Sequence, residues 1–361
     1  MPETEVDASP SPLLTWPGAV PASWPDEGVA DHYGDPFREQ RALDGTGGFV
    51  DRSNRGVLTI TGQDRLSWLH SLTSQHLMNL ASGVTAEALI LDPNGHVEHH
   101  LTLSDVDETL WIHVEPGTAT ALAGFLNSMR FMLRVEVTDV SSDYAVLTVL
   151  GSERERLILD LGRGGPGGPF PPGEAVVLAG TARRSELCDL LVRRDRLAAT
   201  ADELVRRGAV AAGMWAFEAL RIAARVPRLG LDTDHRTLPH EVGWIESAVH
   251  LNKGCYRGQE TVARVHNLGH PPRRLVFLDL DGSVDRLPRH GDPVEADETE
   301  VGFTGSAARH YELGPIGLAL VKRTVPVEAT LLAGGVAATQ EVIVPPDAGG
   351  NVKVTLKRRL L

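Results

Sequence analysis

The segment LNKGCYRGQE, residues 251–260, holds one of the two cysteines of this 361-residue chain among residues that could put its sulfur to work. Cys255 lies between Gly254 and Tyr256, with Lys253 and Arg257 two positions away on either side. Positive charge at that distance favours the thiolate, the nucleophilic and metal-binding form of cysteine, and a flanking glycine lets the backbone approach a ligand closely. The same residues also suit a small apolar side chain packed in a turn. Cys188, in SELCDLLVRR, is spaced with Leu187 and Leu191 along one face of a helix and reads as core.

Three other sets carry titratable or metal-binding groups. DTDHRTLPHE offers Asp232, Asp234, His235, His240 and Glu241, carboxylates and imidazoles able to exchange protons as general acid and base, in a pattern that equally suits a loop held by its own hydrogen bonds. In HVEHH an extended backbone puts His96, Glu98 and His100 on one side, two nitrogens and an oxygen that could ligate zinc. Surface imidazoles beside a turn explain that pattern equally well, and no metal ligand is assigned from it. Arg264, Arg273 and Arg274 could neutralise an anion, or could be ordinary arginines at a domain boundary.

The elements that must position these groups follow from period and punctuation. GDPFREQRALDG reads as a short helix closed by Gly45. In RGVLTITGQDRLSWLHSLTSQHL, strand-like Val57–Ile60 gives way to Leu66, Leu69 and Leu72 at helical spacing, a strand–turn–helix unit. Pro93, Asn94 and Gly95 form a turn between extended runs, residues 118–133 suit a helix, and RVEVTDVSSDYAVLTVLG suits two strands. Further on, AVVLAG reads as a strand, SELCDLLVRRDRLAATADELVRRGA as helical and MWAFEALRIAAR as a helix. The irregular alternation points to an α+β fold. Residues 1–30, with six prolines and no period, are expected to be a loosely attached tail. Expected units are a first α+β unit over 31–161, a Gly/Pro loop or hinge at 162–174, a second α+β unit with the KGCYRGQE segment over 175–272, and a small C-terminal β-barrel or sandwich over 273–361.

A net charge of −13 argues against general nucleic-acid affinity, and 42% hydrophobic with 23% charged residues describes a soluble globular chain. No run of about 18 apolar residues could span a bilayer, and the N-terminus lacks the features of a signal peptide, so a cytoplasmic location is expected. Two cysteines 67 positions apart, outside any Cys/His cluster, supply neither a disulfide framework nor the ligands of a resident iron–sulfur cluster.

KGCYRGQE followed by TVAR resembles the signature of the YgfZ-type folate-binding proteins, relatives of the mitochondrial iron–sulfur assembly factor that carries the same motif. Lys253, Gly254, Cys255, Tyr256, Gly258, Gln259 and Glu260 fit it, and Arg257 takes its variable position. DRSNRGVLTITGQDRLSWLHSLTSQ, EALRIAARVPRLGLDTDHRTLPHEVGW and the closing β region resemble the wider glycine-cleavage T-protein (aminomethyltransferase) superfamily. The resemblance implies an α+β ring of ferredoxin-like halves plus a C-terminal small β-barrel, with tetrahydrofolate or a derivative in a central channel. It implies Cys255 as the functional thiol and Arg221, Glu241, Lys253, Gly254, Tyr256, Gly258, Gln259, Glu260 and Arg264 as ligand-binding residues. The implied role is a folate-binding accessory in iron–sulfur cluster assembly or repair, with cluster carriers and iron–sulfur enzymes as partners. Aminomethyl transfer, or a scaffold that has lost folate, are its alternatives. Departures from the transferases bear on that choice. Glu98 and His99 replace their aspartate pair, Ala223 replaces the glutamate that meets the pterin, and Cys255 and Tyr256 replace an acidic residue and a phenylalanine. A buried pterin donor without an acceptor costs about 1–3 kcal/mol, so either another acceptor such as Glu241 or Glu218 substitutes or pterin affinity is weaker than the family norm.

Overall fold

The structure, a computed structural model, describes residues 10–159, 161, 175–180 and 187–351. Two five-stranded sheets and a closed six-stranded barrel form an α+β architecture. The first sheet is antiparallel throughout, in the order Thr85–Leu91, Val97–Val106, Thr109–Val114, Gly56–Thr61, Glu136–Asp139. Helices Arg65–Leu72 and Ala119–Ser128 cover one face, where Trp68, Leu69, Leu122 and Leu126 meet Leu58, Ile60, Leu101, Leu103 and Ile112. The helix foreseen at 118–133 therefore stops at Ser128, and Phe131 and Met132 beyond it are exposed.

The second sheet runs Ala175–Ala179, Leu187–Arg193, Tyr144–Leu150, Gly48–Asp51, Val210–Ala212, with only the last pair parallel. It draws strands from both sides of the Gly/Pro stretch, so the two α+β units are interleaved rather than divided at 161 and 175. A linear reading of composition cannot see that crossing, because strand pairing is settled by long-range contact. The stretch 162–174 itself lies outside the described residues. The helical expectation for residues 185–209 holds only in part: Leu197–Arg206 is a helix, but Leu187–Arg193 is a strand. Cys188 is buried as expected, on a strand instead of a helix face, because an apolar run this short fits both periods.

Residues 10–30 are also a correction. Leu13 is fully buried in the core of the second sheet, Ser11 bonds Asp51, and Asp26 is buried against Arg228. Proline rigidifies a chain without preventing it from packing, so its abundance does not by itself signal a loose tail. Residues 1–9 lie outside the described residues.

In the barrel the strand Arg273–Leu280 shows why alternation matters. Val276, Leu278 and Leu280 point inward with Ala319 and Val321, whereas Leu275 and Phe277 point outward. The outward set joins Leu89, Leu91 and Val97 of the first sheet, Ile222 of the helix Met214–Ala223, Trp244, Tyr256 and Val262 in one shared core. That core locks the signature segment between the first sheet and the barrel.

Candidate functional site

The signature segment is anchored residue by residue. The Lys253 ammonium turns inward and donates to the carbonyls of His70, Thr73 and Gln75, with Nζ 5.0 Å from the Tyr256 ring centroid. Burial pushes its pKa down to about 8, since no carboxylate accompanies it. Tyr256 is buried, and the Gln259 side chain, in the first turn of the helix Gln259–Asn267, donates to the Lys253 carbonyl at 3.3 Å. Gly258 opens that helix at φ 80°, and a Cβ there would stand 2.6 Å from the Asp92 carbonyl oxygen and 2.9 Å from the Gly95 Cα. Glycine is therefore required at 258 for the segment to rest on the turn between the strands Thr85–Leu91 and Val97–Val106. At Gly254 a Cβ would meet nothing within 4 Å, so close approach is not its reason.

Cys255 is exposed, which removes the reading of it as a packed apolar side chain. The cations beside it in sequence are engaged elsewhere: Lys253 as above, and Arg257 with Glu98 at 2.9 Å and over the Phe125 ring at 5.6 Å. The local charge expected to favour its thiolate is thus directed at other groups. Glu260 is exposed in the first turn of the helix, where a negative charge suits the unpaired N–H groups, and Arg264 is exposed near its end.

Arg221 and Glu241, expected to touch a ligand, are framework residues. Arg221 is buried and commits all five of its N–H donors, two to Glu218, one to Asp232, one to the Val226 carbonyl and one to Ser306 Oγ. Glu241 is fully buried and accepts from the Leu238 and Arg273 amides and from Arg273 Nε and Nη2. Arg273 also bonds Asp234 at 2.6 and 2.9 Å, tying the loop before the barrel to its first strand. Asp234 is held well below the usual carboxylate range: burial opposes ionisation, and the Arg273 bonds outweigh it. Arg274 is buried, with Nη2 on the Val325 carbonyl and Gln340. Its Nε and Nη1 have no partner among the described residues, so, unlike Arg221, it keeps unspent donors, although they are buried inside the barrel wall.

Sequence reasoning missed the polar junction beside these residues. Arg228 donates to Asp26 at 2.7 Å and to Glu115 at 2.6 Å, and lies 3.4 Å from Glu218. Arg55 donates to Glu115 at 2.6 Å and to His113 Nδ1 at 2.9 Å, while His113 Nε2 stands 3.1 Å from Asp189. All are nearly or fully buried. Burial alone would raise the Glu115 carboxyl, but Arg55 and Arg228 hold it well below its ordinary value. Burial takes His113 down to about 4, against the pull of Asp189 and with Arg55 adding to the fall, so it is neutral at pH 7. Asp26 and Arg228 are 202 positions apart, and no local pattern could have paired them.

The HVEHH side chains do not converge. His96 bonds Asp92 at 2.9 Å, Glu98 pairs with Arg257, and His100 stacks on Trp244 at 4.6 Å and meets Glu87 at 3.3 Å. Among the described residues no group of three His, Cys, Asp or Glu side chains could hold a metal. Burial lowers His99 to about 4, and its Nδ1 has no partner. His240, from the proposed acid–base set, is likewise lowered to about 4 by burial, then by His266.

The group implied by the resemblance is tetrahydrofolate, whose pterin donors need acceptors and whose tail needs cations. Arg221 and Glu241 have no spare bonding capacity for either, so these two do not fit that use, while Arg264 is exposed. Tyr256 and Gln259 do line a cavity of about 230 Å³ with Asn252 and His266. That volume is below the roughly 300–1,000 Å³ of typical ligand pockets.

Residues 21–163 match the GCVT N-terminal domain. The chain is 26% identical over 341 residues to an aminomethyltransferase of Symbiobacterium thermophilum, covering 87% of this chain and 89% of that protein. It is 29% identical over 304 residues to an aminomethyltransferase of Geobacillus kaustophilus, covering 80% and 82%. A protein of Arabidopsis thaliana named as a chloroplastic transferase is 25% identical over 311 residues, 81% of this chain and 70% of that one. The glycine cleavage system aminomethyltransferase T of Bartonella henselae superposes with a TM-score of 0.78 at 18% identity, over 94% of this chain and 98% of that chain. The fold is therefore that of aminomethyltransferase T. Fold and sequence together support the T-protein superfamily, and most of these relatives are named for aminomethyl transfer. No helix among the described residues is long and apolar enough to cross a membrane.

Proposed function

We propose that the protein is an accessory, non-transferase form of the T-protein architecture that serves iron–sulfur cluster assembly or repair in client enzymes of the cytoplasm, with Cys255 as its working thiol. The observation that carries this reading is an exposed thiol on a segment immobilised from both sides, by Lys253 on one and by Tyr256 and Gly258 on the other. Such a thiol is displayed to a partner instead of serving the core. Two cysteines 67 positions apart are too few thiolates to hold a resident iron–sulfur cluster, so the metal it meets would be the client's cargo. Tetrahydrofolate or a derivative belongs to the proposal through the resemblance and the superfamily, and the role of the thiol does not depend on it.

The test is a Cys255→Ser strain in which iron–sulfur client enzymes are assayed under oxidative stress. Their activity is expected to fall while the variant protein accumulates normally; full client activity would remove the thiol's role. Aminomethyl transfer is the second reading, favoured by the names of the relatives. Ala223 at the expected pterin carboxylate and Glu98 tied to Arg257 weigh against it. Purified protein given an aminomethyl donor and tetrahydrofolate is expected to show no turnover. Calorimetric titration with tetrahydrofolate separates the scaffold reading, which requires neither heat nor thermal protection at millimolar ligand.

A further inference from the structure

A second cavity, of about 570 Å³, opens between residues 22–26, the first turns of the helix Met214–Ala223 and the barrel segments 287–290 and 305–308, and no residue of the signature lines it. Its walls include two indoles, Trp24 and Trp215, and the ring of His290, which sits 5.3 Å from Trp24. Trp24 is 55% exposed, so its ring is open to a ligand in the cavity. Its size falls inside the range of small-molecule pockets.

Three carboxylates, Asp26, Asp31 and Glu218, are among the polar groups around it. Asp31 lines the cavity, is half-buried, and has no hydrogen-bond or ion-pair partner among the described residues. Burial, and Asp26 nearby, push its carboxyl upward, with His32 opposing. Asp26 and Glu218 also line the cavity, but Arg228 and Arg221 already neutralise them. Ser306 spends its proton on Asp232. His290 Nδ1 faces the Gly305 carbonyl at 3.2 Å, and since a carbonyl only accepts, Nδ1 is the donor there. Arg289, the one cation of the lining among the described residues, is exposed. A half-buried carboxylate without an ion-pair partner among the described residues, in a cavity it shares with two indole rings, is complementary to an organic cation.

We propose that this cavity binds a small protonated organic amine, with Asp31 as its counter-charge and Trp24 and Trp215 as its aromatic walls. The inference stands apart from the role of Cys255 and from folate.

Titration calorimetry of the full chain with benzylamine, its neutral analogue benzyl alcohol and the anion benzoate tests it. Benzylamine is expected to bind saturably, the alcohol about tenfold more weakly and benzoate not at all, as a charge-assisted contact requires. Asp31→Asn should weaken benzylamine about tenfold. Trp24→Ala, at a 55% exposed position, should weaken it about threefold or more. Absence of saturable benzylamine binding by the wild type at about 10 mM would overturn the proposal, as would equal affinity for the alcohol or the benzoate. So would undiminished benzylamine binding by both variants.

Discussion

Around Arg228 the buried charges face one another, Asp26 and Glu115 on Arg228, Glu115 again on Arg55, whereas on the signature segment the buried charge of Lys253 faces carbonyl oxygens and the Tyr256 ring, and the thiol beside it faces solvent. The first arrangement joins the N-terminal segment, both sheets and the loop that leads to the barrel. The second fixes one short segment so that one atom can be presented. Charge in the first is consumed by the architecture; in the second it positions a group that the architecture does not use. Residue type alone would have ranked the arginines as ligand contacts and the lysine as an activator of the cysteine. Their partners reverse both assignments.

Arg228→Met should break this contrast most severely. It leaves Asp26 and Glu115 buried without their shared cation, a change that costs about 3–5 kcal/mol, read as a shift of the urea midpoint. Acidification probes the same junction more gently. His113, and His99 and His240 elsewhere, have folded pKa values lowered to about 4, against an unfolded value near 6.5. The unfolded chain then binds more protons between these values, so their contribution to stability is complete above about pH 6.5 and is lost as pH falls towards 4. Thermal midpoints measured across that window should decline, and His113→Gln should flatten part of the decline.

On the signature segment smaller losses are expected. Lys253→Met strands the carbonyls of His70, Thr73 and Gln75 and should cost about 1–3 kcal/mol in a denaturant titration. Gly258→Ala combines a left-handed backbone with the 2.6 Å approach to Asp92 and should cost about 2 kcal/mol. Cys255→Ser should stay within about 0.5 kcal/mol of wild type. In the native protein a thiol reagent should label Cys255 at once and Cys188 only after denaturant is added; equal protection of both would contradict the displayed thiol.

Much of the fold was legible because its signals are local. The helix Pro36–Asp44 with its Gly45 stop, the strand–helix pair Gly56–Thr61 and Arg65–Leu72, the turn at Pro93–Gly95 and the alternating barrel strands all declare themselves within a few residues. The strand Leu187–Arg193 did not, since its apolar run matches two periods, and neither did the packed N-terminal segment, whose prolines say nothing about burial. The signature was visible as a motif and its thiol as a candidate, while the framework duty of Arg221 and Glu241 was not.

By itself the sequence determined the α+β class, a small all-β unit near the C-terminal end and the segment that bears Cys255, since period, turn chemistry and motif are properties of neighbouring residues. Only the tertiary structure decided which charges are spent and which remain free. A guanidinium or carboxylate takes its role from partners as much as 202 positions away, as with Asp26 and Arg228, and burial sets the strength of that pairing.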